Sequence, residues 1–121
     1  MDTSIWVASL RDEERADHAW KRIANRPVHV STVVLAELRS LEVQGRAPAD
    51  AVAQVLAMAR AHPVDEAIAA SAGEVHGRLR KRGRSRASLA DAISLQTARN
   101  LGGTYITFDQ DLEGEPDVEV L

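Results

Sequence analysis

The sequence predicts an α/β protein with a short-stranded parallel sheet flanked by helices. Three observations predict it. Residues 88–109 read SLADAISLQTARNLGGTYITFD, a helical apolar pattern that stops at Gly102-Gly103 and feeds directly into a short strand. Short β-branched runs alternate with amphipathic helices elsewhere, and short buried strands followed by helices belong to parallel sheets. The 121 residues are 45% hydrophobic, enough for a core and too apolar for disorder.

The elements follow in order. Asp2, Thr3 or Ser4 can cap a first helix through the apolar run Ile5, Trp6, Val7, Ala8 and Leu10. A second helix is expected over 12–24, with Ala16, Ala19, Trp20 and Ile23 on its apolar face, ended by Asn25-Arg26-Pro27. A strand over 28–31 leads to a helix over 32–44, capped by Ser31 or Thr32 and stopped by Gly45. Pro48 suits the first turn of a helix running to 61, where His62-Pro63 stops it and Val64 starts a short strand. Asp65 or Glu66 opens the next helix, with Ile68, Ala72, Val75 and Leu79 on one stripe. After Gly83, Ser85 or Ser88 caps the helix of the 88–109 unit. Its strand covers 105–108, rich in aromatic and β-branched residues, and an alternating strand over 117–121 closes the chain.

Composition removes several functions. There is no cysteine, so disulfides, thiolate metal sites and cysteine nucleophiles are excluded. No apolar run is long enough to cross a membrane and no signal segment is visible, which predicts a cytoplasmic protein without membrane contact. Net charge is −3, but residues 78–86, RLRKRGRSR, hold six of the 15 Lys and Arg. These are Arg78, Arg80, Lys81, Arg82, Arg84 and Arg86. A basic patch on an acidic body suits a polyanion or an acidic peptide. The plainer reading is a solvated helix end whose cations complement the dipole.

The chemistry rests on four acids, each at a strand end or on the inner part of a helix: Asp2, Glu37, Asp91 and Asp109, with Asp111 just behind. Asp91 falls in a first helical turn and Asp109 at the carboxyl end of a strand, where open α/β sheets build their sites. Glu37 borders the apolar face of its helix, so it needs a basic partner such as Arg39, a metal, or an open cleft. Each acid also has a purely structural reading: helix cap, dipole complement, or Asx turn. His18, His29, His62 and His76 fall in unrelated places, and no phosphate-binding glycine loop is present. Oxygen ligands without Cys or His select hard cations, Mg²⁺ or Mn²⁺, which can polarise a phosphodiester and activate water.

The segments DTS at 2–4, STVVLAEL at 31–38 and LADAISLQTARNLGGTYITFDQDL at 89–112 resemble the three motif regions of PIN-domain proteins, specifically VapC-type toxins of toxin–antitoxin pairs. The resemblance covers essentially the whole chain in order, so residues 1–121 read as one PIN-like domain. It implies a compact PIN-like three-layer α/β/α domain with a short-stranded parallel central sheet flanked by helices, and a metal-dependent endoribonuclease that cuts single-stranded RNA. It also implies that Asp2, Glu37, Asp91 and Asp109 are the catalytic acids and ligands of Mg²⁺ or Mn²⁺. Ser4, Thr107 and Asp111 would be supporting polar neighbours, an antitoxin protein the partner, and a homodimer the assembly. Family members carry apolar residues before the first Asp that form the central strand; here only Met1 precedes Asp2. The first strand is therefore expected to be truncated, at a cost in ladder bonds and core side chains. That departure keeps a second reading, a catalytically silent module that binds RNA or protein through residues 78–86. Trp6 and Trp20 are expected in the core, with an antitoxin groove as the alternative.

Overall fold

A reciprocal capping box starts the helix that carries Asp91. Ser88 Oγ accepts the Asp91 amide at 3.0 Å, and Asp91 Oδ2 accepts the Ser88 amide at 2.9 Å. This helix, α6 (Leu89–Asn100), ends before Gly102, whose positive φ of 68° lets the chain turn into β3 (Tyr105–Thr107). The computed structural model describes residues 1–84 and 86–121; the Ser85 cap considered above lies outside the described residues, and Ser88 is the cap.

Upstream, α1 (Thr3–Leu10), α2 (Arg15–Ile23), β1 (His29–Ser31) and α3 (Thr32–Val43) follow the expected order, then α4 (Ala51–Met58), β2 (Arg60–His62) and α5 (Glu66–Lys81). A 3₁₀ turn at Gln110–Leu112 and β4 (Val118–Val120) complete the chain. Ser31 caps α3 through the Val33 amide at 3.3 Å, and Asp65 caps α5 through the Ile68 amide at 2.8 Å.

Three local expectations are corrected. The second helix starts at Arg15 rather than 12, because Asp12, at φ 54°, and the Glu13 amide close the end of α1 onto Ser9 and Ala8 carbonyls. The helix expected over 48–61 spans only Ala51–Met58, leaving Pro48 outside it. Residues 60–62 instead form β2, since the Arg60 amide bonds the Val28 carbonyl at 3.0 Å and the strand then pairs with β1. The strand therefore precedes Pro63 rather than starting at Val64.

The strands are parallel and sit among helices, as expected. They pair as two ladders, His29–Ser31 with Arg60–His62 and Tyr105–Thr107 with Val118–Val120. Met1 and Asp2 lie between them. The Met1 amine donates to the His29 carbonyl at 3.4 Å and the Asp2 amide to the Ile106 carbonyl at 3.0 Å. These two bonds link the β1 and β3 ladders through Met1 and Asp2. Helix α6 packs on both β1 and β3, which holds the ladders in register with each other.

Two apolar clusters fill the interior. One joins Trp6, Val30, Val34, Leu38 and Val55; the other joins Ala72, Val75, Leu79, Leu95, Tyr105 and Leu112. Trp6 is buried and meets Trp20 edge-on, ring centroids 5.7 Å apart, while Trp20 Nε1 donates to Ser9 Oγ at 2.9 Å. Trp6 is a core residue, and Trp20 packs against its cluster half-buried.

Candidate active site

Asp2 is the hub of the acidic site. It is only 7% exposed, and its Oδ2 accepts hydroxyl hydrogen bonds from Ser4 at 2.7 Å and Thr107 at 2.8 Å. A buried carboxylate needs such donors to offset lost hydration. Asp2 precedes α1 in extended backbone, and its side chain makes no capping bond to the helix amides. Asp2 thus holds the N-cap position with its backbone carbonyl, and its carboxylate is left to the Ser4 and Thr107 hydroxyls. Thr107 ends β3, is fully buried, and also accepts the Asp109 amide on its hydroxyl at 3.0 Å. One threonine therefore ties the chain start to the fourth acid.

Glu37 accepts from Thr3 Oγ1 at 2.6 Å. The salt bridge considered with Arg39 does not form; Arg39 pairs with Glu42 at 2.7 Å. Thr3 carries no signal of its own in the sequence beyond standing inside the DTS segment beside Asp2. Asp91 is held by the capping box, and Asp109 Oδ1 accepts the Asp111 amide at 2.9 Å in an Asx turn. The structural readings of Asp91 and Asp109 are thus real, and they leave each carboxylate oriented.

The acids feel one another. Burial first, then the negative charge of Asp2 and, more weakly, that of Asp109, push the Asp91 carboxyl up to about 6; the Ser88 bonds only partly oppose this. Tyr105 is buried beside them, and its hydroxyl makes no hydrogen bond of good geometry among the described residues. Burial, then Asp2 and Asp91, push that hydroxyl well above its usual range. Among the described residues none of Asp2, Glu37, Asp91 and Asp109 forms an ion pair, so their charge meets only hydroxyl and amide donors. An all-oxygen donor set with surplus charge fits a hard divalent cation. Among the described residues no three His, Asp or Glu are gathered tightly enough to form a ready-made metal cluster, so the acids converge electrostatically without closing on a point.

Asp111 turns outward from this set. Its Oδ2 accepts the Arg86 amide at 2.7 Å, and its carbonyl accepts from Arg84 at 2.9 Å. Arg84 also reaches the Glu113 carbonyl at 3.3 Å, and Arg82 lies 3.7 Å from Glu115. Part of the basic segment therefore pins the C-terminal loop, while Arg78, Arg80 and Lys81 stay exposed on the last turn of α5.

The histidines are not all unrelated. The β1–β2 register brings His29 Nδ1 within 2.8 Å of His62 Nε2. Burial, then His62 and Arg60, lower the His29 pKa. Sequence spacing could not show this, because the pairing depends on which strands become neighbours.

The family model for the PIN domain matches residues 1–114. Among solved structures, the chain is similar to one from a toxin–antitoxin complex of Klebsiella pneumoniae, with TM-score 0.76 and 20% identity over 98% of this chain and 93% of that one. It is also similar to one from VapBC2 of Rickettsia felis bound to a promoter DNA fragment, with TM-score 0.74 and 16% identity over 99% and 94% of the two chains. A search of curated proteins finds no match.

Proposed function

The chain belongs to the PIN domain family, and on that footing we propose that it is a VapC-type toxin, a metal-dependent endoribonuclease neutralised by an antitoxin protein. The observation that carries the reading is that Thr107 bonds both the Asp2 carboxylate and the Asp109 amide, with the charges of Asp2 and Asp109 both acting on Asp91. Toxin–antitoxin complexes among the similar structures support the partner.

Asp2, Glu37, Asp91 and Asp109 would hold Mg²⁺ or Mn²⁺. When bound, the cation polarises a phosphodiester and lowers the pKa of water for hydrolysis. The chain's own residues prepare the site. Ser4 and Thr107 fix the Asp2 carboxylate, Thr3 fixes that of Glu37, and Ser88 fixes that of Asp91. Buried Thr107 and Tyr105 exclude water from beneath the acids. Arg78, Arg80, Lys81 and Arg82, with Arg84 and Arg86 beside the C-terminal loop, offer charge to an RNA backbone. Among the described residues no helix is long and apolar enough to cross a membrane; cytoplasmic placement, a homodimer and a single domain over 1–121 complete the proposal.

The test is RNA cleavage with added Mg²⁺ or Mn²⁺, comparing the chain with its Asp91→Asn form. Cleavage by the parent alone supports the reading, and equal cleavage by both sinks it. A second reading, a silent RNA- or protein-binding module, is favoured by the loosely gathered acids among the described residues. Mn²⁺ titration separates them, because only an active site binds the ion through Asp91 and Glu37.

A further inference from the structure

Tyr105 and Thr107 stand two residues apart on β3, so their side chains share one face of the strand. On that face the Thr107 hydroxyl donates to Asp2 Oδ2. The Tyr105 ring belongs to the apolar cluster with Ala92, Leu95 and Leu112, and the residue is only 1% exposed. Its hydroxyl makes no hydrogen bond of good geometry among the described residues, and its approach to Asp2 is a weak one. Burial, then the charges of Asp2 and Asp91, then the weak bond to Asp2 and the charge of Glu37, hold the phenol well above its usual range. It therefore stays a neutral O–H near neutral pH and faces three of the four acids as a donor.

Asp2 has an acceptor to offer. Its Oδ2 is filled by Ser4 and Thr107, while its Oδ1 accepts no hydrogen bond among the described residues. A buried donor without an acceptor costs stability, so the fold alone would favour phenylalanine at position 105. Carboxylates that bind a cation are held in place by hydrogen bonds to their remaining lone pairs. We propose that Tyr105 is a positioning residue whose hydroxyl donates to Asp2 Oδ1 and orients that carboxylate toward a divalent cation. The proposal rests on the metal-dependent reading of the site.

The experiment uses the full chain, stripped of metal by chelator and dialysed. Mn²⁺ is titrated by calorimetry into the parent, Tyr105→Phe and Asp91→Asn forms. Phenylalanine keeps the ring and its packing and removes only the hydroxyl. Tyr105→Phe is expected to bind Mn²⁺ about tenfold more weakly than the parent. In chelator it should melt at or above the parent's temperature, because an unpaired buried donor is gone. Tyr105 is the sole tyrosine, so selective isotope labelling at Cζ gives a single NMR signal. Mg²⁺ should move that signal in the parent and leave it in place in Asp91→Asn. Parent-like Mn²⁺ affinity in Tyr105→Phe, with Asp91→Asn impaired, overturns the positioning role and leaves the metal-dependent reading standing. A Tyr105→Phe form that melts well below the parent also overturns it, since the hydroxyl would then be a bond of the fold. Mn²⁺ binding by no form overturns the role and the metal-dependent reading together. Weakened binding in Tyr105→Phe, in a chain that cuts no RNA, sustains the role and sinks only the nuclease activity.

Discussion

Thr107 donates its hydroxyl to Asp2 Oδ2 at 2.8 Å across 105 residues of sequence, inside a buried part of the molecule. The same hydroxyl oxygen accepts the Asp109 amide. Replacing Thr107 by Val removes this hydroxyl at nearly constant volume and leaves both partners short of a bond. Urea unfolding should show a loss of about 1–3 kcal/mol, the cost of an unmade buried hydrogen bond. Thr107→Ser, which keeps the hydroxyl, should recover the Mn²⁺ affinity that Thr107→Val loses in calorimetric titration.

Asp91 supplies the pH dependence. Its folded carboxyl is raised to about 6 from an ordinary value near 3.8. A raised folded pKa contributes stability that is complete below the unfolded pKa and is lost as pH rises through about 6. In chelator, the protein should therefore be more stable at pH 5 than at pH 7, by on the order of 1 kcal/mol before partial solvent screening reduces it. Asp91→Asn should flatten this dependence in thermal melts across that range and abolish cleavage. A melt series as steep in the variant as in the parent would contradict it.

Glu37→Gln tests whether that side chain serves a cation or only the fold. The amide oxygen can still accept from Thr3, so stability should stay within about 1 kcal/mol of the parent. Mn²⁺ affinity should fall at least about tenfold, because a neutral ligand replaces a charged one. Unchanged Mn²⁺ binding by calorimetry would remove Glu37 from the ligand set.

The basic segment should divide into two kinds of residue. Arg84→Ala loses bonds to the Asp111 and Glu113 carbonyls and should cost about 1–2 kcal/mol in urea unfolding. Arg80→Ala and Lys81→Ala should stay within about 0.5 kcal/mol. Those two should instead weaken RNA binding and reduce its salt slope by about 0.7 for each phosphate no longer neutralised. Anisotropy titrations at several salt concentrations measure that slope.

The candidate acids were legible in the sequence because their local settings are local chemistry. Asp91 follows Ser88 by the three residues of a capping box, and Asp109 precedes Asp111 by the two of an Asx turn. The α6–Gly102–β3 joint was legible for the same reason: periodicity, a stop residue and β-branched side chains all act within a few positions. The strand at 60–62 was not. Its residues extend a helical pattern, and only ladder bonds to β1, about thirty residues away, outweigh that preference.

By itself, then, the sequence determined the order of the helices, the caps of α3, α5 and α6, and the parallel α/β class, and it named the four acids as candidates, since each follows from interactions between near neighbours along the chain. Tertiary structure alone decided the partners. It gave Glu37 to Thr3 rather than Arg39, joined Asp2 to Thr107, brought His29 to His62, laid Arg15 over Phe108, and committed Arg84 to the C-terminal loop. Those meetings depend on which strands pair and how helices pack. Spacing along the chain does not encode them, because a side chain thirty or a hundred residues away becomes a neighbour only when burial of the shared core brings the two elements together.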